Sequence, residues 1–291
     1  EAFFAYDYLV KKFGKTDREA AGDAAYFRYR SATALHSESR DKADEALKKE
    51  ARSQFAENFK DHPRSIDLQY YEGADYIADA DSRGQEKDDT AKADAQRLYG
   101  QALERLRNVK RTSILYAKAM ARMGEILHKL GMYEEALKQF KDVEAYIKNP
   151  KNVTTDQQQK VNRLQARAIG TYWGAQSLAK MEKWEEALKR LEGYEKEFAN
   201  ENVSDFHVPV MFDRTRALVQ VGRVDEAEKQ ALILREKHEE SPRVPIAFYL
   251  LGQAFAKKAD PLRETNPEEW REFLGKAAEY LSYYISRKTN P

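Results

Sequence analysis

Residues 117–150, AKAMARMGEILHKLGMYEEALKQFKDVEAYIKNP, constrain the fold more than any other stretch of this chain. Two apolar patterns at helical spacing flank Gly131, Met132 and Tyr133, and each alternates small residues with large ones. Gly124 and Ala136 are small, whereas Leu127 and Phe140 are large. Antiparallel helices that cross closely need small residues where their backbones approach and large ones filling the gaps beside them. A hairpin of this kind cannot bury its apolar face alone, so neighbours of the same kind have to stack on it.

The code returns along the chain. Ala136, Phe140 and Val143 have counterparts in Ala187, Leu191 and Tyr194, in Ala227, Ala231 and Leu234, and in Ala277, Leu281 and Tyr284. Ala95, Tyr99 and Ala102 form an earlier copy, and Ala51, Phe55 and Asn58 a weaker one. Steps of four and three residues put each trio on one helix face. The partner helices carry Gly73 and Tyr76, Gly124 and Leu127, Ala175 and Leu178, and Gly252 and Phe255, with Thr215 and Leu218 fitting less well. Polar connectors are expected at 79–92, 148–157, 200–207 and 258–268, the first being the best place for a functional loop.

Over 117–150, 168–198 and 208–242 this pattern resembles a tetratricopeptide repeat (TPR). Intervals between the alanine anchors all exceed the 34 residues of a regular TPR, so these hairpins have longer helices or loops. FAENFKDHPRS (55–65) and REKHEESPR (235–243) both end a helix in charged residues and restart it at Pro63 or Pro242. Proline is tolerated there because the N–H it lacks would be unpaired in a first turn. That entry resembles the TPR variant of periplasmic bacterial proteins. The resemblance implies an all-α fold: a right-handed α-solenoid of antiparallel helical hairpins, a TPR-like superhelix of about 12–14 helices. One array is expected over 1–291, with a partial hairpin at 1–13 and hairpins at 17–60, 64–108, 112–149, 156–199, 205–240 and 243–288. Ala2, Tyr6, Leu9 and Phe13 read as the second helix of a hairpin, and Phe273, Tyr280, Leu281, Tyr283, Tyr284 and Ile285 as a face wanting cover. The chain is therefore expected to be a piece of a longer repeat protein.

Charge and composition narrow the function. Fifty basic side chains against 49 acidic ones leave a net charge of +1, unlike the concentrated positive charge of a nucleic-acid binder. With no cysteine there is no disulfide, thiolate zinc site or cysteine nucleophile, and the balance leans to an extracytoplasmic address, the bacterial periplasm or cell envelope, over the cytoplasm. No apolar run approaches the roughly 20 residues that cross a bilayer, so direct membrane insertion is not expected. Among His36, His62, His128, His207 and His238, none lies three or four residues from another, so no helix presents a two-histidine metal pair. Neither a nucleophile elbow nor a Gly-rich phosphate loop occurs, and the sequons Asn152-Val153-Thr154 and Asn202-Val203-Ser204 matter only in a eukaryotic secretory setting. The expectation is no enzyme, no cofactor and no metal.

Recognition remains. In the TPR family the first helix of each hairpin lines a concave groove. The positions three before each small anchor hold Tyr70, Ala121, Tyr172, Phe212 and Tyr249. Aromatic rings supply large contact area at low entropic cost, so they are expected to dominate a partner contact, although the same rings could pack between hairpins. Gln176, Arg216 and Gln253 would set register beside them. Lys118 and Arg122 match one hairpin's share of the clamp with which some TPR domains bind C-terminal carboxylates, but Tyr70, Tyr71 and Ala74 stand where that clamp needs Lys or Asn. The function expected is a non-enzymatic scaffold that binds a protein or peptide on its concave face. The alternative is a structural segment of a longer repeat protein, self-associating end to end.

Overall fold

The computed structural model describes residues 1–39, 41–86, 88–198 and 206–289. Among the described residues there are thirteen α-helices and no strand: α1 (Ala2–Phe13), α2 (Arg18–Ser39), α3 (Lys42–Asn58), α4 (Ser65–Gly84), α5 (Asp89–Arg107), α6 (Tyr116–Lys129), α7 (Tyr133–Lys148), α8 (Gln157–Lys180), α9 (Trp184–Phe198), α10 (His207–Gln220), α11 (Val224–His238), α12 (Arg243–Ala259) and α13 (Pro267–Thr289). The chain gathers into two compact units, 1–119 and 120–291.

In the second unit three hairpins close through one turn. Met132 N–H donates to Leu127 O, Lys183 N–H to Leu178 O and Arg223 N–H to Leu218 O, each at 2.9 Å and five residues back. That bond satisfies a carbonyl at the end of the first helix and requires a left-handed residue just before the donor. Gly131 and Gly222 supply it with φ of 81° and 78°; in the middle hairpin Glu182 does so at 60°. Ala136, Ala187 and Ala227 then make the first bond of the returning helix and are fully buried.

The glycines show why the anchors are small. A Cβ on Gly124 would overlap the Phe140 ring, and one on Gly73 or Gly252 would press into Leu106 or Leu281. Each glycine thus lets a large side chain of the returning helix lie directly on its backbone. The first unit closes its hairpins differently, with Asp41 accepting from Ala43 N–H at 2.9 Å and Asp88 from Ala91 N–H at 2.7 Å. These carboxylates cap the amino ends of α3 and α5, where the helix leaves donors unpaired.

Several local expectations are corrected. Residues 79–84 are not a connector but the last turns of α4, because Ala80 is buried and Asp81 accepts from the Tyr99 hydroxyl; their acidity is that of a wet helix face. Residues 150–152 and 260–262 form single 3₁₀ turns instead of open loops. On α1 the inward face is Phe3, Val10 and Phe13, with Ala2 exposed, because the helix is rotated one residue from the expected register. Phe59, not Asn58, completes the trio of Ala51 and Phe55, since α3 ends at Asn58 and the chain turns inward there. The second sequon and most of the 200–207 connector lie outside the described residues, as do the expected hairpin limits at 199 and 205.

Candidate partner-binding face

In the second unit α10 packs on α12, and a polar network of side chains joins α8 to α10. Its centre is Asp213, a buried carboxylate. Gln176 Nε2 donates to its Oδ2 at 2.5 Å, the Tyr172 hydroxyl donates to the same oxygen at 3.4 Å, and Arg216 Nη2 pairs with Oδ1 at 3.1 Å. Arg216 also donates to Gln176 Oε1 at 3.2 Å, so the amide is held at both ends. Burial pushes the Asp213 carboxyl above the ordinary carboxylate range, against the opposing pull of Arg216 and Arg243. Arg216 keeps 30% of its side chain exposed and lies over the Trp184 ring. An ion pair with one side in water loses less to desolvation than a fully buried pair and remains reachable.

The expected aromatic residues fall on this face with less ring surface than the sequence suggests. Tyr172 and Phe212 are buried; Tyr172 stacks on Phe206 with centroids 4.5 Å apart, and Arg243 lies over Phe212. Tyr249 is half-buried on Tyr284, and its hydroxyl accepts from the exposed Gln253 at 2.7 Å. The physical reason is packing. A ring three residues before a close helix crossing sits at the seam between neighbouring hairpins, where it fills the space that the small residue leaves.

Further along this unit Arg122 donates to Glu125 Oε2 at 2.5 Å, and Lys129 Nζ meets the other oxygen at 2.8 Å. Burial alone would raise the Glu125 carboxyl, but the two cations outweigh it and hold it below the usual range. His128 Nδ1 lies 2.9 Å from Ser177 Oγ, whose hydrogen goes to Trp173 O at 2.9 Å. His128 Nδ1 therefore carries the hydrogen in that bond. Burial, with Lys180 and Lys129 nearby, pulls the imidazole down to about 4, so it is neutral near pH 7. Neither Glu125 nor Asp213 stood out in the sequence, because one charged residue among 99 looks like another until its burial is known.

In the first unit Tyr70 is buried edge-on to Tyr71, and Lys118 lies over its ring at 5.5 Å. Among the described residues no group of histidines and acids could hold a metal ion, and no helix is long and apolar enough to cross a membrane.

No protein-family model and no curated protein matches this chain. Solved structures with a similar fold include the MamA protein, 12% identical over 76% of this chain and 93% of that one with a TM-score of 0.45. Another is YrrB, described as a TPR protein with an unusual peptide-binding site, 20% identical over 82% of this chain and 98% of that one with a TM-score of 0.43. Within the chain itself, buried alanine anchors recur in both units, the left-handed turn closes three hairpins of the second unit, and glycine crossings occur at Gly73, Gly124 and Gly252. The chain has a TPR-like helical-repeat fold.

Proposed function

We propose that the chain is a non-enzymatic protein-interaction scaffold that receives a protein or peptide segment on the face of its first helices. The observation that carries this is the Asp213 network, which fixes Gln176 and leaves the Arg216 head partly in water. A polar group already held in place loses little further freedom when a partner binds. Arg216 can offer N–H donors to peptide carbonyls or carboxylates, while Tyr249 and Gln253 offer a half-buried ring and an exposed amide on the next hairpin. Arg122 extends the face on α6, and Lys118 with Tyr70 is its counterpart in the first unit. The buried rings of Tyr172 and Phe212 support the face from beneath and add edge contact; the contact that distinguishes partners is polar.

Selection from a displayed peptide library, followed by titration of the selected peptide, tests this reading. Arg216→Ala and Tyr249→Ala are expected to weaken binding about tenfold each, or about 1.4 kcal/mol, with melting temperatures close to the parent's. Unchanged affinity in both variants would move the site away from this face.

A further inference from the structure

Two exposed faces that take no part in the polar network complement each other. On α1, Phe4 is 71% exposed and Tyr8 61%, one turn apart, with Lys11 and Lys12 a turn further on. Phe3, Val10 and Phe13, on the other side of this helix, are occupied by packing in the unit's core. Lys12 lies over the Tyr8 ring and Lys11 pairs with Asp7 at 2.7 Å, so both ammonium groups stay beside the ring pair. Two large rings this exposed on consecutive turns form an apolar patch of the kind that marks interaction sites.

The outer face of α13 is its opposite in shape and charge. Leu274, Gly275, Ala278 and Ser282 are exposed at helical spacing, and a Cβ on Gly275 would meet nothing within 4 Å. The large rings of α13 are spent on its inner side, Tyr280 and Tyr283 against Phe248 and Phe273 against Phe255. Exposed Glu268 and Glu272 outnumber the exposed Arg271 along the amino-terminal part of the helix, and Glu279 is exposed near its middle.

We propose that a second copy of this chain docks its α1 face on this α13 face, head to tail. With the two helices antiparallel, Phe4 falls opposite Ser282 and Tyr8 opposite Ala278, so large rings enter the groove above small residues. Lys11 and Lys12 then come level with Leu274 and Gly275, and their stems reach Glu272. The same orientation places the lysine-bearing carboxyl end of α1 beside the glutamate-bearing amino end of α13, an arrangement both helix dipoles favour. Pairing α1 with α1 would set rings against rings and lysines near lysines, with no groove to enter. The contact is heterologous, so copies add to one another or close into a ring. One helix pair buries less than the roughly 1,200 Å² of a stable interface, which makes the association weak and concentration-dependent. It is independent of the partner-binding face above and stands or falls apart from it.

Sedimentation velocity and light scattering of the 291-residue chain from about 10 to 500 μM cover the range of a weak interface of this size. The average mass is expected to rise with concentration. The Phe4→Asp/Tyr8→Asp variant and the Ala278→Arg variant are each expected to remain monomeric, while their equimolar mixture forms a one-to-one dimer, because each keeps the face that the other has lost. Lys11→Glu/Lys12→Glu should weaken association at least tenfold at low salt. All these positions are exposed; should a variant melt early, Tyr8→Ser and Ala278→Gln carry the same comparison more gently. A parent chain that stays monomeric throughout, a face variant that still associates, or a mixture without heterodimer would overturn the proposal.

Discussion

Each unit buries a carboxylate on a first helix, and the two stabilise it in different ways. Asp75 on α4 accepts from the Tyr29 hydroxyl at 3.2 Å and faces Lys48 at 3.5 Å and Arg52 at 3.9 Å, both cations coming from α3. Asp213 on α10 likewise accepts from a tyrosine of the preceding first helix, but its other partners are the neutral Gln176 and the half-wet Arg216. Burial raises both carboxyls. The difference lies in where the compensating charge sits. Lys48 is 6% exposed and belongs to the interior, whereas Arg216 keeps an outward side. A tyrosine–aspartate pair between first helices is thus a packing device in either unit, and the exposure of the cation decides whether it can also meet a partner.

The largest effect should separate these cations. Lys48→Met leaves Asp75 short of a partner that water cannot replace and is expected to destabilise the chain by about 3 kcal/mol in urea unfolding. Arg216→Ala should lose only about 1 kcal/mol, since water can take the vacated place. Equal losses would break the comparison.

Acid should act on the second unit through His128. Its folded pKa is depressed to about 4 from an ordinary 6.5, so the folded state refuses a proton that the unfolded chain accepts. Stability is full above about pH 6.5 and falls as the pH drops towards 4, by about 2 kcal/mol once partial solvent access is allowed for. Unfolding of His128→Gln beside the parent at several pH values isolates this contribution; parallel curves would remove it.

Packing should differ between the units as well. The Phe140 ring lies between Gly124 and Gly170 and cannot retreat, whereas the buried Leu106 beside Gly73 is a smaller aliphatic side chain. Gly124→Ala is expected to destabilise by about 1–2 kcal/mol despite its gain in helix propensity, and Gly73→Ala by less, about 0.5–1 kcal/mol. Thermal melts of the pair decide this.

The smallest effect is a gain. Glu182 holds a left-handed backbone where the neighbouring hairpins use glycine, so Glu182→Gly should stabilise by about 0.5–1 kcal/mol. A loss would mean that the side chain contributes more than the strain removes.

These contrasts also mark what could be read from the residues alone. Periodicity located the hairpins because Ala136, Ala187 and Ala227 must be small wherever backbones cross, and Gly131 and Gly222 advertise their turns. Glu182 hid an equivalent turn because its side chain gives no sign of a positive φ. Acidic residues 79–84 looked like a loop because a solvated helix face and a loop share a composition. For the candidate face, helical spacing placed Tyr172, Phe212, Gln176 and Arg216 together, but whether a ring faces outward or into the seam depends on helix rotation, which spacing alone leaves open. Asp213 was illegible for a related reason: only its neighbours distinguish it from any other aspartate.

The central claim is that a partner meets the first-helix face of the second unit at Arg216, Tyr249 and Gln253, with Asp213 holding the arrangement from below. Titration of a library-selected peptide by isothermal calorimetry against the parent, Arg216→Ala/Gln253→Ala and Lys48→Met tests it most directly. The expected result is at least a tenfold loss of affinity in the face variant, which stays folded, and parent-like affinity in Lys48→Met below its melting temperature. Parent-like affinity in the face variant, with a loss in Lys48→Met instead, would contradict the claim.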